Sequence, residues 1–558
     1  MCYPAKSVSR ERSVSAFAFV LQCVVQSSAG IATRGPFPAR GPMPSGPPGA
    51  QGRGGAVNEQ AADRKSVVIV GAGVAGLAAG IYALQSGFKA TVFERREAPG
   101  GASTGWSREG YAFEGGARWV SGLASGKVLN ALWREVGALD DDTAVHVPDP
   151  YYAFEADGRA ALLFRDPKRL REQLSELAPE DASEIKRLCA DVAKLAKVDM
   201  PLKDVKGVEA KHPVQANPIS SLPMAPGFAR TSSYAKQSVS VYLKRFKNPF
   251  LKRLLASLAD GDESALSLAN TLAAFAAGDA GRPEGGSIGM VQRMEARFEE
   301  LGGTLRCSSP VDRVVVEDGS AVGVVAGGEM LPADAVIVTE DTLTAAFSLF
   351  DPPLDQPWVR AMLGATKPLL GMLVCLGVAA DLKELPESVG FGLPEPLRAA
   401  GREYSEIAFS NFARCEGCAP SGCTALTVPL KGDTYDWWLE READGTYAEA
   451  KRRIAEDVIA ALEEKFPPLA GKVEAWDVAT PLSYERRLLS YKGSWMSVLE
   501  PNTSTSPHSA KPQGIERLYF AGQRMMLPGG LPAAVKTARI AVQYLCRDTR
   551  TVFQAELD

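Results

Sequence analysis

Residues 66–94 read SVVIVGAGVAGLAAGIYALQSGFKATVFE, and this stretch decides the fold. Ser66–Val70 is a short β-branched run of the kind that forms a buried parallel strand. GAGVAG follows at once, with glycines at 71, 73 and 76. Val74, Leu77, Ala78, Ile81 and Leu84 then fall on one face of a helix, and Gly87 stands where a helix commonly stops. Ala90–Phe93 is the second strand, with Glu94 at its end. Each part has a physical task in a βαβ nucleotide site. Gly71 permits the tight turn, Gly73 lets backbone approach a pyrophosphate, and Gly76 lets helix and strand pack closely, so the helix N-terminus faces the phosphates. Glu94 lies 18 residues past Gly76, where a carboxylate accepts from a ribose diol. The fingerprint by itself does not separate FAD from NAD.

Around this motif the composition narrows the chemistry. At 558 residues the chain needs two or three domains, and 46% apolar with 23% charged residues is ordinary globular material. The net charge of −4 lacks the basic surplus of a nucleic-acid binder. Three histidines, His146, His212 and His508, are scattered too widely to suggest a metal centre or a Ser-His-Asp triad. Nine cysteines in so long a chain are no disulfide framework. No apolar run reaches the roughly 18–20 residues of a membrane-spanning helix. The chemistry is therefore expected to belong to a bound cofactor, with no metal. Residues 1–56 differ from the rest, with six basic residues against Glu11 alone. Ser15–Val25 is a short apolar run, and 34–56 is dense in Pro and Gly. Residues 1–64 read as a leader and linker, disordered and outside the folded chain. A secretory or organellar targeting role is the other reading.

Three further segments extend the pattern. RREAPGGAST (95–104) carries the pair Gly100-Gly101, and YAFEGGARWVSG (111–122) carries Gly115-Gly116. LYFAGQRMMLPGGLPAAVKTARIAVQYL (518–545) is a short strand, a glycine-rich loop and a helix opening at Pro532. Together with GAGVAGLAAG these motifs resemble the phytoene desaturase and carotenoid isomerase branch of the FAD-dependent amine-oxidase superfamily, to which the retinol saturases are similar. The resemblance runs from about 65 to 550 in separated blocks and includes 283–319, where Ile288, Val291, Met294, Phe298 and Leu301 make a helical stripe. It implies that Gly71, Gly73 and Gly76 hold the pyrophosphate and Glu94 the adenosine ribose. It further implies that Arg96, Gly100 and Gly101 lie along the ADP half, Gly115 and Gly116 beside the isoalloxazine, and Val311 against adenine through its backbone. Gly522 and Gln523 would meet the ribityl–phosphate region, and Gly530, Leu531 and Ala534 the flavin ring. The glycine pair at 100–101 is usually followed by Arg in the amine oxidases; here Ala102 follows, which favours the carotenoid-type branch.

The expected fold class is α/β, a discontinuous Rossmann-type FAD-binding domain with an inserted mixed α+β substrate domain. The FAD domain takes 65–150, 280–345 and 510–550, and the substrate domain 151–279 and 346–509. The first inserted piece reads largely helical, over 168–177, 182–197, 239–246 and 251–258. The second mixes strands at 369–378 and 425–430 with a long helix in which Ile454, Val458, Leu462 and Phe466 recur at spacing four. The cysteines of CEGCAPSGC (415–423) read as a turn, Trp437-Trp438 as buried structure and Lys492 as a surface lysine. Trp119 is set between a core position and the wall of a substrate cavity.

The function these readings support is hydride transfer between flavin and a C–H or C=C bond of an apolar carotenoid-, isoprenoid- or retinoid-like substrate, in a phytoene desaturase-like enzyme with non-covalent FAD. No catalytic acid–base pair is identified. With no second dinucleotide fingerprint, the electron acceptor is oxygen, a quinone or another carrier. The expected location is cytoplasmic, with peripheral membrane association and an organellar or exported form left open. Three alternatives stand beside this reading: a flavin-dependent non-redox isomerase, a flavin amine oxidase, and a non-enzymatic prenyl- or lipid-binding protein on the same scaffold.

Overall fold

The computed structural model describes residues 64–199, 201–214, 222–365 and 367–555. The readings of residues 1–63 lie outside the described residues. Labelled in chain order, the elements that build the nucleotide half are β1 (Ser66–Val70), α1 (Val74–Gln85), β2 (Lys89–Phe93), α2 (Gly286–Glu300), β3 (Thr304–Arg306), β4 (Ala335–Val338), β5 (Leu518–Phe520) and α3 (Leu531–Thr549). The five strands form one sheet in the order β3-β2-β1-β4-β5, every pair parallel. Strand order reverses at β1/β4, the place where parallel sheets bind ligands beyond the strand ends.

The strands show no polar alternation because both faces are covered. Val67, Ile69, Ala335, Ile337 and Tyr519 enter the core formed with α1, α2 and α3. Their neighbours Val68, Val70, Val336, Val338, Leu518 and Phe520 point the other way, into a core closed by a three-stranded antiparallel sheet (residues 311–332) and the helix Thr342–Ser348. Successive side chains on opposite faces, both buried, make a continuous apolar run. In α2, Val291, Met294 and Phe298 are buried, while Ile288 and Leu301 flank them half-buried. The ring of Phe298 occupies the space left by Gly80 and Gly303, where a Cβ would come within 2.6 and 2.3 Å of it.

A second sheet of seven strands runs Val473–Ala479, Gly371–Val378, Thr424–Lys431, Arg402–Asn411, Ser388–Ala399, Tyr152–Ala156, Arg159–Leu163. Gly371–Val378 is buried at every position, as befits its apolar run. The helix Tyr447–Lys465 covers the sheet through Ile454, Val458 and Leu462, with Phe466 just past its end. Residues 151–279 are less purely helical than expected, since they contribute two strands to this sheet. The strand Ser388–Ala399 is not evident in the sequence, because its Gly390, Gly392, Pro394 and Pro396 break the apolar pattern, and a register shift sits between Gly392 and Leu397. The helices Pro167–Leu177, Ala182–Leu195, Val239–Leu243 and Pro249–Ala256 are joined by two unread ones, Ala225–Ala235 and Ala265–Ala276, around a separate core.

Candidate flavin site

The turn after β1 is built as its glycines demand. Gly71 has φ +96° and donates its N–H to Phe93 O at 2.8 Å, bridging β1 and β2. A Cβ on Gly76 would lie 1.8 Å from Gly71 O, so any side chain there forces α1 off the strand. Gly73 is the N-cap of α1, with no side-chain cap and no acid in the first turn. The first N–H groups of α1 are thus left to a ligand. Glu94 is buried and accepts from the backbone N–H of Ala72 and of Arg96, each at 2.9 Å. A carboxylate offers about four acceptor sites, so two remain for a ribose diol.

Three glycine turns from successive motifs converge here. Gly100 donates to Ala72 O at 2.8 Å, and the backbones of Gly73 and Gly101 face each other. Thr104 donates to Gly101 O and accepts from Arg96 Nη1, both at 2.7 Å, so Arg96 braces this turn. Gly115 and Gly116 pack back to back with it: Cβ atoms there would lie 2.8 Å from Thr104 O and 2.5 Å from Ala102 O. Burial, and after it the neighbouring Arg487, lowers the Arg96 guanidinium from its ordinary value. Neither arginine makes an ion pair among the described residues. Glu94 acts on Arg96 in the opposite sense, so this guanidinium sits between a carboxylate and a second positive charge. Val311 opens its strand beside Val70 and Phe93 in the same core.

Residues 74–546 match the family described as flavin containing amine oxidoreductase. The chain belongs to that family. The phytoene desaturase (lycopene-forming) of Pseudescherichia vulneris is 24% identical over 521 residues, covering 87% of this chain and 99% of the relative. The all-trans-retinol 13,14-reductase of Danio rerio is 22% identical over 518 residues, covering 83% of each. The solved structure of cyclohexylamine oxidase from Brevibacterium oxydans IH-35A shares the fold at a TM-score of 0.53 and 16% identity, covering 87% of this chain and 100% of that one. The protein is a flavin-dependent oxidoreductase on a Rossmann-type FAD-binding fold.

The flavin-side loop is tied down from several directions. Gly522, at the end of β5, exchanges hydrogen bonds with Thr537 of α3 at 3.0 and 3.1 Å. Gln523 spans the loop, donating to Trp495 O and accepting from Gly530 N, both at 3.2 Å. Gly530 is the N-cap of α3, again without a side-chain cap or an acid in the first turn. Leu531 is half-buried at the first helical position, and Ala534 is buried one turn on. Arg524, 1% exposed, pairs with Asp341 at 2.5 Å and donates to Ser497 at 3.0 Å and to Ser494. Tyr484 donates to Gly115 O at 2.9 Å. Thr537, Arg524, Asp341 and Tyr484 were missed in the sequence; an arginine inside an otherwise apolar loop was the one available signal.

Glu340 was also missed. It follows β4, and its Cγ lies 3.2 Å from where a Cβ of Gly71 would be. Its Oε2 is buried with no hydrogen-bond partner. Burial first, and then the nearby Glu94, pushes its carboxyl up to about 7. An orphaned polar atom, an uncapped helix and a spare pair of acceptors on Glu94 together fit a dinucleotide flavin.

The remaining sequence readings fall elsewhere. Trp119 lines a cavity, edge-to-face with Phe275 at 5.3 Å. Trp438 is fully buried, whereas Trp437 is half-buried beside Arg441. Lys492 is half-buried, its Nζ 5.8 Å from the Tyr435 ring, in the segment packed on the 522–530 loop. Cys415, Cys418 and Cys423 lie in the loop between Arg402–Asn411 and Thr424–Lys431, and no metal-binding group of three ligands occurs among the described residues. None of the described helices is long and apolar enough to cross a membrane.

Proposed function

We propose that the protein binds FAD without a covalent link and transfers hydride between the flavin and a C–H or C=C bond of an elongated apolar, isoprenoid-derived substrate. Bound FAD would supply the two-electron chemistry. The chain's own residues would position it: Gly71, Gly73 and Gly76 at the pyrophosphate, Glu94 at the ribose, Arg96 with Gly100 and Gly101 along the ADP half, and Val311 at adenine. Gly522 and Gln523 would hold the ribityl–phosphate region, Gly115 and Gly116 one side of the ring, and Gly530, Leu531 and Ala534 the other. The division into an FAD domain (65–150, 280–345, 510–550) and a substrate domain (151–279, 346–509) is supported by the two separate sheets.

The observation that carries this reading is the aromatic cavity that begins two residues beyond Gly116. Trp119, Phe275 and Tyr151 wall it, with Tyr151 and Phe275 stacked at 4.1 Å. Flat aromatic walls suit one end of a polyene. The relatives named for phytoene and retinol, matched over 99% and 83% of their lengths, support the same substrate class. Non-covalent binding is supported by the loop Ala521–Ala534, which has no Cys or His to form a link. The test is anaerobic mixing of the purified yellow protein with phytoene and with retinol, and of the photoreduced protein with polyenes, while flavin absorbance is followed. Bleaching or reoxidation by a polyene, and release of FAD into an acid supernatant, are expected. Peroxide formation with amines alone would replace this reading by amine oxidation.

A further inference from the structure

The cavity beyond Gly116 has an unusual inventory of polar groups. Arg118 lines it, and its guanidinium has no hydrogen-bond or ion-pair partner among the described residues. The charged and titratable groups facing Arg118 are already engaged. The Tyr152 hydroxyl donates to Ser257 Oγ at 3.0 Å, and Asp260 pairs with Lys431 at 3.5 Å. Arg282, of like charge, donates to Arg118 O at 3.1 Å and to Asn411 O at 2.9 Å. The one carboxylate in the lining, Glu387, lies 3.4 Å from Arg282 and 2.7 Å from His146. Three more lining groups have a buried atom with no hydrogen-bond partner: the hydroxyls of Tyr151 and Ser410, in residues 3% and 1% exposed, and Oε1 of Glu387, whose charge is faced by His146 and Arg282.

Apart from Glu387, which Arg282 and His146 balance, the unmatched groups are a guanidinium and two hydroxyls, all able to donate. Left unmatched in a partly desolvated site, each is costly, and a pure hydrocarbon leaves all three unmatched. An acceptor-rich anion satisfies them together. The water-sized space is about 120 Å³, small beside a polyene and suited to a head group. With Arg282 engaged, one free guanidinium balances a single negative charge. We infer that Arg118, with the Tyr151 and Ser410 hydroxyls, holds the carboxylate of an elongated apolar acid, so that the substrate is a polyene or isoprenoid carboxylate rather than a hydrocarbon. The inference rests on the apolar-substrate reading above and narrows it to one head group.

The test is equilibrium binding to the full-length, FAD-loaded protein, read by tryptophan quenching and by flavin absorbance. The probes are all-trans-retinoic acid, all-trans-retinol and farnesyl diphosphate. Retinoic acid is expected to bind most tightly. Arg118→Met should weaken it by roughly ten- to a hundredfold, the worth of a charge-assisted pair, and leave retinol unchanged. Arg118→Lys should recover part of the loss. If Arg118→Met fails to fold, judged by flavin content, Tyr151→Phe and Ser410→Ala serve instead, each lowering only the acid's affinity severalfold. Equal binding of acid and alcohol by the native protein, no binding of the acid, tighter binding of the diphosphate, or an equal loss for acid and alcohol in the variants would each overturn the carboxylate site. Acid binding that depends on Arg118 in a protein whose flavin never exchanges hydride with a polyene would keep the site and remove the redox reading. Turnover of hydrocarbon polyenes, undiminished in Arg118→Met, would do the reverse.

Discussion

Glu340 shows how one buried side chain leaves a pH signature. Its carboxyl is pushed up to about 7 from an ordinary 4.5, by burial and then by Glu94. For an acid raised in the folded state, the protonated form is the one folding favours. Its contribution to stability is complete below the unfolded value and is lost as pH rises through about 7. Native protein compared with Glu340→Gln in urea unfolding should therefore lose on the order of 3 kcal/mol between pH 4.5 and 8. A difference that stays flat across that range contradicts the raised value. Arg524 is the second case. It is buried against Asp341, which also accepts from Leu343 N, Thr344 N and Tyr491 N. Removing one partner of a buried pair strands the other charge, at a cost of about 3 kcal/mol or more. Arg524→Met should lower both the melting temperature and flavin content, and adding Asp341→Asn should recover part of the loss. Additive losses would mean that the pair is not coupled.

Among elements, α3 carries the sharpest expectation. Its N-terminus is uncapped and contains no acid, an unusual omission if the helix had only its own stability to serve. Leu531→Asp places a carboxylate at the first helical position, half-exposed. For the helix alone that change is favourable by about 0.3–1 kcal/mol. For a flavin that gains negative charge on reduction it is unfavourable. Leu531 is partly buried against the core, so lost packing offsets the gain to the helix and the FAD-free variant should melt close to the native chain, yet bind FAD more weakly or show a lower reduction potential. Ala534 is a poorer probe, because it is packed into the core behind the helix and a carboxylate there would disturb folding as well. Unchanged affinity and potential in Leu531→Asp would remove α3 from the flavin.

Across the whole molecule, FAD would bridge segments from both ends of the chain. The turn after β1, the pairs at 100–101 and 115–116, the end of β4 and the 522–530 loop meet only because β1, β4 and β5 are neighbours in one sheet. A ligand that binds all of them in the folded state alone must stabilise it, by about 2.7 kcal/mol at a hundredfold excess over its Kd. Flavin-stripped protein should melt at least about 2–3 °C below the reconstituted form by calorimetry. Identical melting would mean that the cofactor contacts one segment only.

The nucleotide half was legible in the sequence because its signals are local. Gly71, Gly73 and Gly76 answer to a turn and a helix only a few residues away, and Glu94 to the strand it ends. The stripe of α2 and the Ile454–Leu462 face likewise follow from helical periodicity alone. The strand Ser388–Ala399 was not legible, since its pairing with Tyr152–Ala156 compensates for prolines and glycines that contradict a strand locally. The bracing of the flavin loop was hidden for a related reason. Arg524, Asp341, Thr537 and Tyr484 are ordinary residues in sequence, and their partners lie up to 369 positions away. Arg118 stands in plain view beside the second glycine pair, yet its lack of a partner becomes visible only when Tyr152 is seen bonded to Ser257, Asp260 paired with Lys431, and Glu387 paired with Arg282 and His146. The sequence alone thus determined which segments turn and that they suit a dinucleotide, because chain-local sterics dictate both, while the choice of FAD came from the resemblance of the separated motifs to a known family. Which polar groups stay unsatisfied, and so what they can bind, was decided by tertiary structure, because satisfaction depends on every group that packing brings within reach.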